Sequence, residues 1–154
     1  MASSISKNTI VHDIWENFYD RVNSQVTTVT LANSDTQTVQ TYSGSYSDHM
    51  LNKKSNYPIL VVGSPVISSE YFTTSKDSYL GTITITIFTT SSEAGDRFIS
   101  EIIDSIETHR QEYRDVNLTM IDLQGIDNDM VERGNIKIHV REATYSFEYH
   151  FVKS

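Results

Sequence analysis

Apolar and polar residues alternate along two stretches of this chain. Within residues 79–90 three isoleucines alternate with three threonines, namely Ile83, Ile85 and Ile87 with Thr82, Thr84 and Thr86. Near the C-terminus four aromatic residues occupy every second position, namely Tyr145, Phe147, Tyr149 and Phe151. Period-two alternation of this kind predicts strands with one buried face and one polar face. In a monomer the threonine face of the first strand would be solvated, whereas in an oligomer it could contact a neighbouring subunit.

The pattern changes phase within the last predicted strand. Its first apolar residues, Ile136, Ile138 and Val140, stand at even positions, whereas the apolar set from Tyr145 onward is odd. An extra residue in one strand of a pair shifts such a pattern by one position. We therefore predict either a bulge near residues 141–144 or two separate strands.

Two segments have the spacing of amphipathic helices. In residues 10–22 the apolar residues form one stripe, namely Val11, Ile14, Trp15, Phe18, Tyr19 and Val22. In residues 93–113 a second stripe consists of Phe98, Ile99, Ile102, Ile103, Ile106 and Tyr113. Thr90 and Glu93 stand three residues apart, as in a capping box, so we predict that the second helix begins there.

The remaining segments predict short strands and loops. Two Thr/Val-rich runs at 25–31 and 37–43 flank a turn-type cluster at 32–36, which predicts a partly exposed hairpin. Residues 43–56 have no period and predict a long loop of the kind that is usually functional or flexible. The apolar run 57–62 predicts a buried strand.

Residues 118–135 predict a strand followed by a loop. The alternation slips by one position at residues 120–121, which predicts a β-bulge, and 125–135 is predicted to be a polar loop. Together these elements predict a single domain over residues 1–154 of the α+β class. We expect a mostly antiparallel sheet flanked by two amphipathic helices, with a protruding hairpin and a long loop.

The charge balance is acidic and excludes some functions. Twenty Asp and Glu residues against twelve Lys and Arg residues leave a formal charge of −8. Nonspecific binding to duplex DNA depends on neutralising phosphates with Lys and Arg, so this balance argues against it. The chain has no cysteine, which excludes disulfides and thiolate metal sites. We also expect no secretory signal and no membrane-spanning segment, because the apolar runs are short.

No residue motif indicates a catalytic or metal-binding chemistry. Five histidines occur without the spacing of a metal site, and we expect them to be surface or structural residues. Asp127, Asp129 and Glu132 lack the glycine and the spacing of a calcium loop, so we expect a solvated acidic loop. His139 and Arg141 are predicted to face outward on the last strand, where they leave a small enzyme or ligand-binding domain as a remote alternative.

The order of elements resembles that of the tail terminator, or tail-completion, proteins of long-tailed bacteriophages. An N-terminal helix is followed by a thin hairpin and a long loop, and then by the Tyr-Pro-apolar strand at 57–62. An alternating strand and an amphipathic helix at 81–113 come next, and the last strand at 141–151 carries alternating aromatic residues. The resemblance covers residues 10–152.

The resemblance implies a structural virion protein with no catalytic, cofactor-binding or metal-binding residues. It implies a homo-oligomer, hexameric when assembled, that caps the head-proximal end of the tail tube, stops tube polymerisation and joins the tail to the head. Its implied partners are the tail tube protein and a head-completion or neck protein, and viral DNA passes through the ring without specific binding. Its implied location is the virion, after assembly in the host cytoplasm. A head-completion or connector adaptor of the neck is the alternative.

Three groups of residues are candidates for the contacts of such a ring. We assign contact with the tube or neck to the 32–36 turn and the 43–56 loop, through Asp35, Tyr46, His49 and Met50. We assign contact between subunits to the 79–90 strand and the second helix, through Thr82, Thr84, Thr86 and Arg110. We assign a position facing the lumen or a neighbouring ring to the acidic loop, through Asp127, Asp129 and Glu132.

Overall fold

A computed structural model describes residues 5–43, 57–71 and 76–152. Tyr46, His49 and Met50 therefore lie outside the described residues. After a 3-10 turn at Lys7–Thr9, the helices are α1 (Ile10–Gln25), α2 (Ser92–Thr108) and α3 (Arg110–Asp115). The strands are β1 (Thr28–Thr30), β2 (Thr36–Thr38), β3 (Gln40–Ser43), β4 (Ile59–Val62), β5 (Val66–Tyr71), β6 (Lys76–Thr89), β7 (Leu118–Arg133) and β8 (Ile136–Val152).

The main structural element is one mixed sheet of six strands. The strand order is β3-β4-β6-β8-β7, and β5 pairs with the half of β6 that β4 leaves free. Every pairing in this sheet is antiparallel except that between β3 and β4. β1 and β2 form a separate hairpin. The expected fold class is confirmed: an α+β protein with a mostly antiparallel sheet, flanked by α1 and α2.

The helices cover one face of the sheet. Odd-numbered residues of β6 and β8 point to this face and meet the apolar stripes of α1 and α2, as the two periodicities predicted. The largest fully buried side chains of this core include Phe18, Phe98, Tyr113, Tyr145 and Phe147. The indole of Trp15 donates a hydrogen bond of 3.0 Å to the Val62 carbonyl oxygen, which ties α1 to β4.

β8 is one continuous strand, so neither expected interruption near residues 141–144 occurs. Its register with β6 runs without a shift from Lys76↔Val152 to Thr89↔His139. The phase change has another cause. Ile138 and Val140 point away from the helices and form a second, smaller core with Ile59, Val61 and Phe88. At this end the sheet is therefore buried on both faces. The prediction assumed that each strand buries only one face, so it could not identify this arrangement.

The prediction of a polar loop at 125–135 is wrong. β7 continues through residues 118–133 and turns into β8 at Gly134, whose φ is +63°. The bulge expected at 120–121 is confirmed by a register shift between Thr119 and Asp122, and Met120 there has a φ of +52°. Polar composition concealed the strand because residues 122–132 are exposed, as suits a strand at the sheet edge.

The second helix begins one residue later than predicted and is interrupted. Ser91, not Thr90, is its N-cap, and its hydroxyl accepts a hydrogen bond of 3.4 Å from the Ala94 backbone N–H. The helical path breaks at His109, whose ring Nδ1 lies 2.7 Å from the Ser105 carbonyl oxygen. This interruption separates α2 from α3.

Two core tyrosines bury hydroxyl groups that have no hydrogen-bond partner among the described residues, namely Tyr113 and Tyr145. Burial, assisted by the Glu107 carboxylate, raises the pKa of Tyr145 to about 12. Burial also raises the pKa of Tyr113, against the opposing effect of Arg21, whose guanidinium lies 4.7 Å from the ring centroid. Both groups are therefore held in the neutral form by the folded protein.

We predict that Tyr145→Phe raises the free energy of unfolding at pH 7 by about 1 kcal/mol, because it removes a buried hydroxyl that has no hydrogen-bond partner among the described residues. The folded-state pKa is raised, so the folded protein retains the proton longer than the unfolded chain, and wild-type stability falls from pH 10 to about 12. At pH 11 the variant should gain about a further 1.4 kcal/mol over wild type. Urea unfolding at both pH values measures this difference.

A destabilised variant at pH 7 would indicate that the hydroxyl is paired in solution. An advantage of the same size at both pH values would contradict the raised pKa.

Candidate interaction surface

The sheet face opposite the helices carries the threonine row. Even-numbered residues of β6 and β8 point to this face, which we call the open face. Its central residues are exposed or half-buried, namely Leu80, Thr82, Thr84, Thr86, Thr144, Ser146 and Glu148. Thr84 and Thr144 hydroxyl oxygens lie 3.3 Å apart across the two strands. Thr82, Thr84 and Thr86 thus belong to one surface, as expected.

An apolar groove of about 460 Å³ adjoins the threonine row. Three large apolar side chains line it and are exposed, namely Val66 at 74%, Leu80 at 36% and Met120 at 64%. Thr82, Asp122, Ser146 and Glu148 complete its walls. Exposed apolar side chains that cluster in a groove mark an interaction surface more often than isolated ones do.

Gly81 permits the close packing beneath this groove. A Cβ at Gly81 would lie 2.6 Å from the Phe147 ring and 2.9 Å from the Val66 carbonyl oxygen. Contacts that short require something to move, so a side chain here would displace Phe147 or β5. Gly81 therefore keeps Val66 close to β6, where it can share the groove with Leu80.

The three acidic candidates do not lie on one surface. Asp127 and Asp129 pair in register with Glu142 and Val140, which places both on the open face. Glu132 pairs with Lys137 and points to the other face. Because the two faces alternate along β7, a single cation site built from the three residues is excluded by geometry. The structure instead brings Asp127 and Asp129 together with Glu142.

Arg110 lies apart from the threonine row. It belongs to α3, on the helix side of the sheet, and forms an ion pair of 2.7 Å with Glu107. It also donates a hydrogen bond of 2.8 Å to the Ile121 carbonyl oxygen. Its contacts within the chain fasten α3 to the start of β7. The two halves of the expected subunit contact, Arg110 and the threonines, therefore lie on opposite sides of the sheet.

Asp35 lies where expected, in the exposed turn of the β1–β2 hairpin. Its backbone N–H donates to the Asn33 side-chain oxygen at 3.0 Å, and its carbonyl oxygen accepts from Leu31 at 2.8 Å. The hairpin turn is also tied to α2, because the Glu93 carboxylate accepts from the Ala32 backbone N–H at 2.8 Å. Hydrogen bonds from Arg97 and then from Ala32 hold the pKa of Glu93 below its usual value.

Arg141 does not face outward, contrary to the sequence-based expectation. Its side chain is buried on the helix side, where it forms an ion pair of 3.0 Å with Asp96 and donates to the Ser92 hydroxyl at 3.0 Å. Gly95 leaves room for it, since a Cβ there would lie 3.3 Å from the Arg141 side chain. Arg141 thus anchors the start of α2 to β8, and this role weakens the alternative of a ligand site around it.

The sequence did not point to the apolar residues that line the groove or to the exposed apolar residues of β7. Val66 and Leu80 follow no period that distinguishes them from buried strand residues. Met120 had a detectable signal, because the slip in alternation at 120–121 marks the bulge that exposes it. Ile126 and Met130, exposed at 40% and 53%, were hidden in the segment interpreted as a loop.

No family model and no curated protein matches this chain. No helix within the described residues combines the length and the apolar character needed to cross a membrane. Residues 5–43, 57–71 and 76–152 contain no group of three or more His, Asp or Glu side chains arranged to hold a metal ion.

We predict that Glu93→Ala loosens the hairpin without unfolding the domain. Removing the carboxylate frees the Ala32 N–H, so exchange of this amide with solvent should accelerate roughly tenfold while the melting temperature changes little. In the wild type, the protection factor of this amide, which is the ratio of its intrinsic to its observed exchange rate, should fall as the pH falls through the lowered folded-state pKa of Glu93. NMR measurement of the exchange rate tests this, with Glu101→Ala on the same helix as the control. Equal rates in both variants would contradict the role of Glu93.

Proposed function

We propose that this protein is a structural virion protein, a tail terminator that assembles into a ring on the head-proximal end of a phage tail tube. The apolar groove on the open face carries this proposal, because it offers each copy a surface that a neighbouring copy can cover. The order of elements, which resembles that of tail terminator proteins, supplies the biological setting.

The groove suits a contact between two different surfaces of the same protein. A ring closes only when each subunit presents one surface to the subunit ahead and another to the subunit behind. Val66, Leu80 and Met120 give the open face an apolar centre, and the threonine hydroxyls beside it give a rim of uncharged polar groups. An apolar centre with a polar rim is the usual composition of a protein interface. We propose a hexamer as the assembled state.

The remaining surfaces suit the other partners of a terminator. The Asp35 turn is exposed and is held by Glu93, so we propose that it contacts the tail tube protein or the neck protein. The acidic balance of the chain suits a ring that lets viral DNA pass, because carboxylates and phosphates repel each other. Assembly would take place in the host cytoplasm, and the final location would be the virion.

We predict that particles assembled without this protein have overlong tails that are detached from heads. A terminator stops tube growth, so its loss leaves polymerisation unchecked. Electron microscopy of lysates from a nonsense mutant of this gene measures tail length and attachment directly. Tails of normal length together with untailed heads would contradict the terminator and support the alternative, a head-side adaptor of the neck. Normal virions would contradict both the terminator role and the adaptor role.

Complementation of that mutant tests whether the groove itself is needed for tail assembly, apart from the rest of the fold. A chain carrying Val66→Asn and Met120→Asn should fail to restore normal tails, because both changes remove apolar surface from the groove. Asn also tolerates the positive φ of residue 120. The control is Val11→Asn, since Val11 is 46% exposed on α1, on the far side of the sheet. Restoration by both chains would show that the groove is dispensable.

A further inference from the structure

The outer edge of β7 is a second surface, which no other strand within the described residues covers. β7 lies at the end of the sheet and pairs only with β8 among the described strands. A strand at the edge of a sheet presents unpaired backbone donors and acceptors to any extended chain that approaches it. Residues 122–132 of β7 are all exposed.

The two faces of the sheet differ in the side chains that they present along this edge. On the open face, Asp127 and Asp129 lie beside Glu142 of β8, and Asp127 stands directly opposite Glu142 in the register. Like charges directly opposite each other destabilise a strand pair. No ion pair joins any of these three carboxylates to a described residue. A cationic side chain placed beside them would relieve the repulsion.

The opposite face of the same edge carries two large apolar side chains, together with Asn128 and Glu132. Ile126 and Met130 pair with Ala143 and His139, which places both on the side of the sheet that carries the helices. They are nevertheless exposed at 40% and 53%. A strand added to β7 would therefore meet carboxylates on one face and apolar side chains on the other.

One backbone N–H at this edge forms a hydrogen bond within the protein itself. The Asp129 carboxylate accepts a hydrogen bond of 2.8 Å from the Met130 backbone N–H. That N–H is thus not used by the pairing with β8 and belongs to the outer edge. An incoming strand would take this N–H with a carbonyl oxygen, and the released Asp129 carboxylate would then bind a cation of the same strand.

We propose that the β7 edge binds an extended segment of a partner protein in which Lys or Arg alternates with apolar residues. Charge complementarity selects this partner. β7 carries four carboxylates and one arginine, so pairing with a second copy of itself would double an acidic charge. A strand with a basic residue at every second position would neutralise that charge, and its apolar residues would cover Ile126 and Met130. This proposal does not depend on the terminator function.

The test uses a blocked seven-residue peptide of alternating Lys and Val as the probe and the full chain as the target. The peptide should slow solvent exchange of the Met130 amide and shift the NMR signals of residues 126–131. Neutralising the three carboxylates with Asp127→Asn, Asp129→Asn and Glu142→Gln should weaken its binding at least tenfold. The control variant removes three carboxylates from the helices, with Glu101→Gln, Asp104→Asn and Asp115→Asn, and should bind as wild type does.

Two control peptides guard against nonspecific attraction. A peptide of the same composition with its lysines and valines in separate blocks should bind at least tenfold more weakly, and a peptide of alternating Glu and Val should not bind. Equal binding by both lysine peptides, or by the two charge-neutralised variants, would overturn the proposal. Pairing of the wild-type protein with itself through β7, seen as concentration-dependent protection of Met130 without peptide, would also overturn it.

Discussion

The pairing of β6 with β8 is the interaction on which the rest of this structure depends. It runs without a register shift from Lys76↔Val152 to Thr89↔His139 and forms the centre of the sheet. Because side chains alternate between faces along a strand, this one register decides which residues meet the helices and which form the open face. A slip by one residue would exchange the isoleucine and threonine rows.

The register also explains why the two faces have such different roles. On the helix side it pairs Ile83, Ile85 and Ile87 with Tyr145, Ala143 and Arg141 of β8. These residues are buried beneath α1 and α2. On the open side it aligns hydroxyls and carboxylates, together with Leu80 and Val66, around a groove. β7 then attaches to β8 with two register shifts, and the first of them contains Met120, which lines the groove. β7 is the last strand in the order, so its far edge is unpaired among the described residues.

Much of this fold could be predicted from the sequence wherever one periodicity matched one buried face. The stripe of α1 and the isoleucine row of β6 are of this kind, and so is the bulge at 120–121. Prediction failed where burial differed from that simple case. β8 buries its even-numbered face near Ile138 and its odd-numbered face from Ala143 onward, so its alternation changes phase without an interruption. The polar outer part of β7 is exposed on both faces and therefore lacks the alternation of a half-buried strand.

The sequence predicted the correct position in the fold for some candidate residues and the wrong position for others. The threonine row was found because its alternation was visible, and Asp35 was found because turn residues cluster around it. Arg141 was misplaced because its ion pair with Asp96 joins residues far apart in the chain, and a buried charge with a distant partner leaves no local pattern. The groove was missed because Val66, Leu80 and Met120 come together only in the folded sheet.

Cryo-electron microscopy of tails that carry this protein tests the central claim most directly, namely that the open face is the surface through which copies of the chain assemble. We expect a closed ring of copies at the head-proximal end of the tube, with Val66, Leu80 and Met120 of each copy buried against its neighbour. A ring in which these side chains face solvent, or tails without this protein at that end, would contradict it.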